Sequence, residues 1–307
     1  MKRLKRLLFF LAAIAVGAPA FGQSGAVTAG GGGLPQAPPA FTPPKNDKIA
    51  PPLEASEAVV KASPRRAGFV EIKMADGTSL HTWVVYPAGT AKAGVVLVIH
   101  DIYGMAPDAV AWPQAVGDQL AREGFIAIVP DLLSGKGLNG GNADTLPPGG
   151  AQQVIRSVTP ADVVVRLDAA MAYGKTLPAS NGKTGVIGFC WGGNQSFAYA
   201  IAQPALSAAV VYYGMAPGSG NPFAPDQTEL GKLKVPVSGF YGGADARVTL
   251  SVAPTAAAAK QLGKSYESHI FDGAGHGFLR NQSTEPNYKA AEQAWPLTIA
   301  FFRDRLK

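Results

Sequence analysis

The sequence predicts an α/β fold, a doubly wound and mostly parallel sheet of about eight strands with helices on both faces. Two observations lead to this prediction. Five apolar runs are continuous rather than alternating, which is typical of strands buried on both faces of a parallel sheet. Helix-compatible stretches separate these runs, and this alternation is the pattern of a doubly wound sheet. With 307 residues and 47% hydrophobic content, the chain can form one large core.

The individual elements follow from the same pattern. Two β-like runs, 69–74 and 81–86, flank Asp76-Gly77 and predict an antiparallel hairpin at the edge of the sheet. Buried strands are expected at 95–99, 125–129, 186–189, 208–213 and 235–241, with a last strand at 266–271. Helices are expected at 108–122, 160–173, 191–202, 250–262 and 285–305. Ligands bind at the carboxyl ends of such strands, so the loops that follow them should hold the functional residues.

The first 64 residues do not share this pattern. Four basic residues precede the apolar run 7–16 and small residues follow it, which predicts a secretory signal peptide over residues 1–22. The alternative is a membrane anchor, but spanning a bilayer takes about 20 apolar residues. Residues 23–64 are rich in Gly and Pro and predict a disordered linker, the alternative being a tail that packs on the domain. The domain itself is expected over residues 65–307.

Charge and cysteine content narrow the classes of partner. The leader holds four of the basic residues behind the formal charge of +6, so the mature chain is nearly neutral and no nucleic-acid partner is expected. We expect a periplasmic or secreted monomer without stable membrane insertion after the leader is removed. The sequence has a single cysteine, Cys190, which cannot form an internal disulfide. A lone thiol in an oxidising compartment is a liability, so its presence needs a reason.

The sharpest motif is Gly188-Phe189-Cys190-Trp191-Gly192-Gly193. It follows a buried strand and opens a predicted helix, which is the arrangement of a nucleophile elbow with Cys in place of Ser. Such a turn holds its central residue at positive φ and needs glycines two positions away on each side. The helix N-terminus favours the thiolate form. We therefore predict that Cys190 is a nucleophile, the alternative being an inert buried cysteine.

A thiol nucleophile needs a base and an acid that orients the base. His276 lies in a glycine-rich loop after the last strand, whereas His81 and His269 fall inside strands and His100 ends one. Asp245 follows the strand that ends at Tyr241, between Cys190 and His276 in chain order. Asp272 is the competing acid, although an Asp on such a loop more often caps a turn. The sequence thus predicts a triad of Cys190, His276 and Asp245.

Acyl transfer through such a triad needs an oxyanion hole. In this arrangement one backbone N–H belongs to the residue after the nucleophile and the other to a loop after an earlier strand. Trp191 follows Cys190, and Ile102 lies in the loop after the strand 95–99. We predict that these two N–H groups hold the oxyanion. The alternative for Ile102 is a plain strand-ending turn.

Four stretches together resemble the dienelactone hydrolase family of α/β-hydrolases: His100-Asp101-Ile102-Tyr103-Gly104, the elbow at Cys190, Asp245, and Gly275-His276-Gly277-Phe278-Leu279-Arg280. The resemblance covers about residue 69 to the C-terminus. It implies the α/β-hydrolase fold and a Cys-His-Asp triad that opens a lactone through an acyl-thioester, without metal or cofactor.

The resemblance also implies substrate-binding residues. Arg280 matches an arginine that binds the substrate carboxylate, Arg156 corresponds to a second one, and Tyr103 lies in the loop that lines the pocket. At Asp101 the family's lactonases carry a glutamate that contacts the resting thiol. Either the shorter Asp101 reaches Cys190 through a closer backbone approach, or His276 alone generates the thiolate.

These observations lead to one functional prediction and one alternative. We predict a carboxylic ester hydrolase that cleaves a small ester or lactone, including carboxylate-bearing ones, through Cys190, His276 and Asp245. The alternative is a non-catalytic exported protein that keeps the fold and binds a ligand, since fold alone does not determine function.

Overall fold

One eight-stranded sheet organises the part of the chain that this computed structural model describes, residues 41–218, 221 and 224–307. The expected leader, 1–22, lies outside these residues. The strands are β1 (Ala67–Lys73), β2 (Ser79–Val85), β3 (Ala93–Ile99), β4 (Ile126–Pro130), β5 (Ser180–Phe189), β6 (Ala208–Tyr212), β7 (Val237–Gly242) and β8 (Tyr266–Phe271). The helices are α1 (Leu53–Ala62), α2 (Ala111–Arg122), α3 (Gly150–Val154), α4 (Pro160–Thr176), α5 (Trp191–Ala202), α6 (Gln227–Gly231), α7 (Ala246–Gln261) and α8 (Glu285–Leu306).

The strand order confirms the predicted mostly parallel sheet. The order is β1-β2-β4-β3-β5-β6-β7-β8, and the six strands from β4 to β8 run parallel. The predicted hairpin is formed by β1 and β2, and β2 then pairs antiparallel with β4. Every residue of β3, β4 and β6 is buried, which explains their unbroken apolar runs.

Helices cover both faces of the sheet, as predicted. On one face α8 packs against the central strands, and the Tyr212 hydroxyl at the end of β6 shares a hydrogen bond of 2.7 Å with Thr298 of α8. On the other face α4 and α5 pack together, with Tyr199 donating to Asp168 at 2.8 Å. No helix within the described residues is long and apolar enough to cross a membrane.

Element boundaries differ from the predictions where polar residues occur inside an element. Strand β5 begins at Ser180 rather than at residue 186, because Asn181, Gly182 and Lys183 extend the strand without an apolar signal. Helix α7 begins at Ala246 rather than at residue 250, since Asp245 serves as its N-cap residue. The last strand, β8, and helix α5 have the predicted bounds.

The prediction of a disordered linker over residues 23–64 is wrong for residues 41–64. Residues 53–62 form helix α1, which packs on α2, and Ile49 and Ala50 before it are buried. The indole N–H of Trp112 donates to the carbonyl of Pro51 at 3.1 Å. The alternative, a tail packed on the domain surface, is what the structure contains here. Composition was misleading because a few prolines lead into a short helix-forming stretch.

A sharp turn joins β5 to α5 and depends on glycine. A Cβ atom on Gly188 would clash with the backbone carbonyl of Gly192, and one on Gly192 would clash with the carbonyls of Ile99 and His100. The backbones of the strand, the helix and the neighbouring loop therefore approach to van der Waals distance. Only residues without a side chain fit at these two positions.

We expect Gly188→Ala to lower the free energy of unfolding by about 2 kcal/mol or more, because the added methyl meets backbone rather than a flexible side chain. Chemical denaturation followed by circular dichroism measures this change. Gly68→Ala in β1 is the matched control, because a Cβ there meets nothing within 4 Å. Equal stability of the two variants would contradict the close approach.

Candidate active site

Cys190 lies at the turn between β5 and α5 in a strained conformation. Its φ is 57° and its ψ is −116°, a region that non-glycine residues seldom occupy. Its backbone N–H donates to the carbonyl of Tyr212 at 3.1 Å, which ties the turn to β6. The side chain is partly exposed at the N-terminus of α5. Cys190 thus lies at the edge of the core and is not fully buried.

His276 and Asp245 meet beside this cysteine although 31 residues separate them in the chain. The Nδ1 atom of His276 lies 2.5 Å from a carboxylate oxygen of Asp245, which fixes Nδ1 as the donor. Asp245 is 8% exposed and His276 37% exposed, measured on the side chains. Asp272, the competing acid, is exposed on the surface. The orienting carboxylate is therefore buried, while the imidazole is partly exposed.

The sulfur and the imidazole interact electrostatically. The pKa of His276 is raised to about 9, above all by its hydrogen-bonding interaction with Cys190 and further by Asp245, whereas desolvation acts in the opposite direction. Hydrogen bonding to Cys190 and to Asp245 therefore favours the charged form of the His276 ring. The arrangement can thus keep a sulfur nucleophile and a proton donor side by side.

The loop that carries His276 is held by helix α8. The Asn287 side-chain carbonyl accepts from the N–H of Gly275 at 2.8 Å, and its amide donates to the carbonyl of Asn281, also at 2.8 Å. Asn287 is 7% exposed, so both bonds are shielded from water. The sequence analysis missed this residue, because a single Asn in the first turn of a helix has no distinctive pattern.

Two backbone N–H groups point to an oxyanion hole. Within the described residues, neither Ile102 nor Trp191 has a hydrogen-bond partner for its N–H. Trp191 is the first residue of α5, and Ile102 lies in the turn after β3. The close contact between Gly192 and the carbonyl of His100 brings the two turns together. Free N–H groups on adjacent turns can bind a developing oxyanion.

A second cluster at the site is an ion pair stacked on an aromatic ring. It consists of Arg280, Asp101 and Tyr103. Arg280 Nε lies 3.2 Å from a carboxylate oxygen of Asp101, and the guanidinium carbon lies 4.4 Å from the centre of the Tyr103 ring. The other carboxylate oxygen of Asp101 accepts from the N–H of Tyr103 at 2.9 Å. Burial raises the pKa of Asp101 although Arg280 acts in the opposite direction. The side chain of Arg280 is thus held in place by Asp101 and Tyr103.

Asp101 is engaged by these partners rather than by the thiol. Among the residues that the structure describes, no hydrogen bond joins Asp101 to Cys190. Of the two possibilities that the sequence left open, direct contact of Asp101 with the thiol is not found here, and generation of the thiolate by His276 alone stays a prediction.

The remaining histidines have structural roles. His100 Nδ1 lies 2.8 Å from the Asp101 carbonyl and its Nε2 accepts from the N–H of Leu132 at 3.3 Å, so both ring nitrogens are occupied. His81 pairs with Glu71 on the β1–β2 hairpin, and His269 stacks on Phe240. None of these rings is available as a base for Cys190.

Arg156 is not brought to the triad. It lies on the short 3-10 turn Ile155–Ser157 and is exposed. Within the described residues no contact joins Arg156 to Cys190, His276 or Arg280. Its predicted substrate contact stays a prediction.

Tyr213 is a site residue that the sequence analysis missed. It has positive φ, 41°, at the end of β6, and its ring packs 5.0 Å from that of His276. Its hydroxyl is buried without a hydrogen-bond partner in the described residues. Burial, and then the charges of Asp101 and Cys190, raise its pKa well above 10. A buried unpaired hydroxyl is uncommon and needs an explanation.

Comparisons with known proteins identify the family of this chain. The Dienelactone hydrolase family matches residues 80–306. A Methylorubrum extorquens protein, provisionally named a carboxymethylenebutenolidase, is 31% identical over 77% of this chain and 80% of its own length. A carboxymethylenebutenolidase of a Pseudomonas species is 30% identical over 64% of this chain and 78% of its own length.

A solved structure shows the same architecture. A Klebsiella pneumoniae protein, provisionally named a dienelactone hydrolase, aligns with a TM-score of 0.65 and 24% identity over 78% of this chain and 98% of its own. The fold is thus that of the α/β-hydrolases. The chain belongs to the dienelactone hydrolase family, and this membership indicates a hydrolase of esters or lactones rather than a non-catalytic binding protein.

We expect the His276 imidazole to titrate near pH 9 and Cys190→Ala to lower this pKa, because the largest cause of the rise is removed. Long-range ¹H–¹⁵N NMR measures the titration, with His276→Gln identifying the signal. The folded pKa exceeds the unfolded value of about 6.5, so the stabilisation is complete below that pH and fades as pH rises through 9. Identical titrations in both proteins would exclude the sulfur as partner.

Proposed function

We propose that this protein hydrolyses an ester or lactone by covalent catalysis, with Cys190 as nucleophile, His276 as acid and base, and Asp245 as orienting acid. One observation carries the proposal: a partly exposed sulfur at positive φ interacts with an imidazole whose other nitrogen is held by a buried carboxylate. Membership in the dienelactone hydrolase family supports the reaction class.

The first half-reaction forms an acyl-thioester. The Cys190 thiolate attacks the acyl carbon, and the N–H groups of Ile102 and Trp191 stabilise the oxyanion. The carbon–oxygen bond then breaks, and the leaving oxygen takes the proton from His276. An alcohol is released, or a free hydroxyl on the same molecule when the substrate is a lactone.

The second half-reaction is prepared by the first. Once sulfur is acylated it no longer carries the charge that raises the pKa of His276, so the ring becomes a neutral base. His276 then takes a proton from water, and the resulting hydroxide attacks the thioester. The carbon–sulfur bond breaks, which restores the thiolate and the imidazolium. The interaction between Cys190 and His276 thus serves both proton transfers.

Arg280 indicates the substrate class. Its side chain is 20% exposed and is fixed by the Tyr103 ring and Asp101, so the remaining N–H groups of the guanidinium can bind a carboxylate in bidentate geometry. A carboxylate on the substrate would therefore be held next to the reacting sulfur. We propose esters and lactones that bear such a group as preferred substrates.

We expect Cys190→Ala to lower the hydrolysis of an aryl ester by roughly 10⁴-fold, because the covalent route is lost. Cys190→Ser should also lower the rate sharply, since a hydroxyl is far less ionised than a thiol. Spectrophotometric release of the phenol measures both. His276→Gln should behave like Cys190→Ala, while His269→Gln in β8 is the matched control. A Cys190→Ala variant as fast as wild type would refute the mechanism.

We expect Tyr213→Phe to lower activity about tenfold without lowering stability, because its hydroxyl pairs with no group in the described residues and lies among the charges of the site. Tyr212→Phe is the contrast: it loses a formed bond to Thr298, and stability should fall by about 1 kcal/mol. Thermal melting and steady-state kinetics separate the two. Full activity of Tyr213→Phe would show that the hydroxyl has no role.

A further inference from the structure

A short segment that ends at the first residue of helix α1, residues 46–53, contacts the loop that carries Arg280. This N-terminal segment lies outside residues 80–306, which the Dienelactone hydrolase family matches. We propose that the N-terminal segment is a positioning element that holds Arg280 in place for an anionic substrate, an inference that rests on the proposed role of Arg280.

Direct hydrogen bonds join the segment to the loop. The N–H of Leu53 donates to the carbonyl of Arg280 itself at 2.9 Å. The side-chain amide of Gln282 donates to the carbonyls of Ala50 and Leu279, each at 2.9 Å. Gln282 thus bridges the segment and the loop, two residues beyond Arg280.

Trp112 of α2 lies between the N-terminal segment and the side chain of Arg280. Its indole N–H donates to the carbonyl of Pro51, and its ring lies 5.9 Å from the guanidinium carbon of Arg280. The indole is buried, so its position is fixed by packing against the core. The segment therefore binds a ring that lies next to the guanidinium, besides binding the backbone of Arg280.

The contacts are shielded from solvent near Arg280 and exposed at the far end. Ile49, Ala50 and Gln282 are buried, with Gln282 2% exposed. Hydrogen bonds in such surroundings are stronger and costly to break. At the far end, Asn46 and Asp47 bind Glu292 and Arg122 on exposed surface. Loss of a buried contact should therefore affect the Arg280 loop more than loss of a distant one.

Two variants remove contacts to the loop with little other change. Gln282→Met keeps the length of the side chain but lacks the amide donor. Leu53→Pro removes the N–H that binds Arg280 and replaces a partly buried leucine side chain. The backbone tolerates it, because proline fits the first turn of a helix and Pro52 already has the extended φ and ψ that a following proline requires. The second variant keeps the test possible if the first folds poorly.

Gln119→Met is the matched control. Gln119 is also buried, 4% exposed, and its amide also donates to a carbonyl of the segment, that of Asp47 at 3.2 Å. It lies on α2 at the far end and has no contact with the Arg280 loop within the described residues. Arg280→Ala is the reference for complete loss of the anion site.

Two measurements on the folded full chain test the proposal. The first is the ratio of the rates at which iodoacetate, an anion, and iodoacetamide, its neutral analogue, alkylate Cys190. We expect Gln282→Met and Leu53→Pro to lower this ratio about threefold or more, toward the value for Arg280→Ala, while Gln119→Met leaves it unchanged. The second is amide hydrogen exchange of residues 277–283, which should quicken only in the two loop variants.

The outcomes separate the two hypotheses. A normal ratio in both loop variants, or exchange unchanged in them, overturns the positioning role and reduces the segment to a structural support. An equal fall of the ratio in Gln119→Met also overturns it, because the effect would then be general. If Arg280→Ala itself keeps the wild-type ratio, the proposed anion site fails, and exchange at Arg280 alone decides whether the segment holds the loop.

Discussion

The close approach of backbone at the β5–α5 turn is the constraint on which the site depends. Gly188 and Gly192 allow strand, helix and the turn after β3 to touch, and the resulting geometry forces Cys190 to positive φ. This one packing event places the sulfur at a helix N-terminus and sets two free N–H groups beside it. A side chain at either glycine would push the strand, the helix and the turn apart, and would so displace the sulfur and the N–H groups at the same time.

Around that turn the acidic side chains are buried, while their basic partners are more exposed. Asp245 and Asp101 are buried and each holds a more exposed cation, His276 and Arg280 respectively. Buried carboxylates that are paired in this way fix the direction of their partners, since leaving either one unpaired would be costly. Both cations lie on the loop after β8, where the proposed role of His276 is proton transfer and that of Arg280 is anion binding.

The N-terminal segment shows how residues far away in the chain can reach the loop that carries Arg280. The segment binds the loop after β8 through backbone groups and through Gln282, while Trp112 lies between the segment and Arg280. None of these contacts touches the reacting atoms. Their effect acts through the placement of one side chain, so selectivity can change while the central chemistry is kept.

The sequence by itself determined the sheet, the elbow and the order of Cys190, Asp245 and His276, because these follow from local patterns: apolar runs, glycine spacing and loops after strands. Only the tertiary structure decided the partners of Asp101, the setting of Tyr213 and the packing of residues 41–64. Those features arise between residues far apart in the chain, where composition has no distinctive signal. The Asp101–Arg280 pair, for example, exists because two loops meet over Trp112.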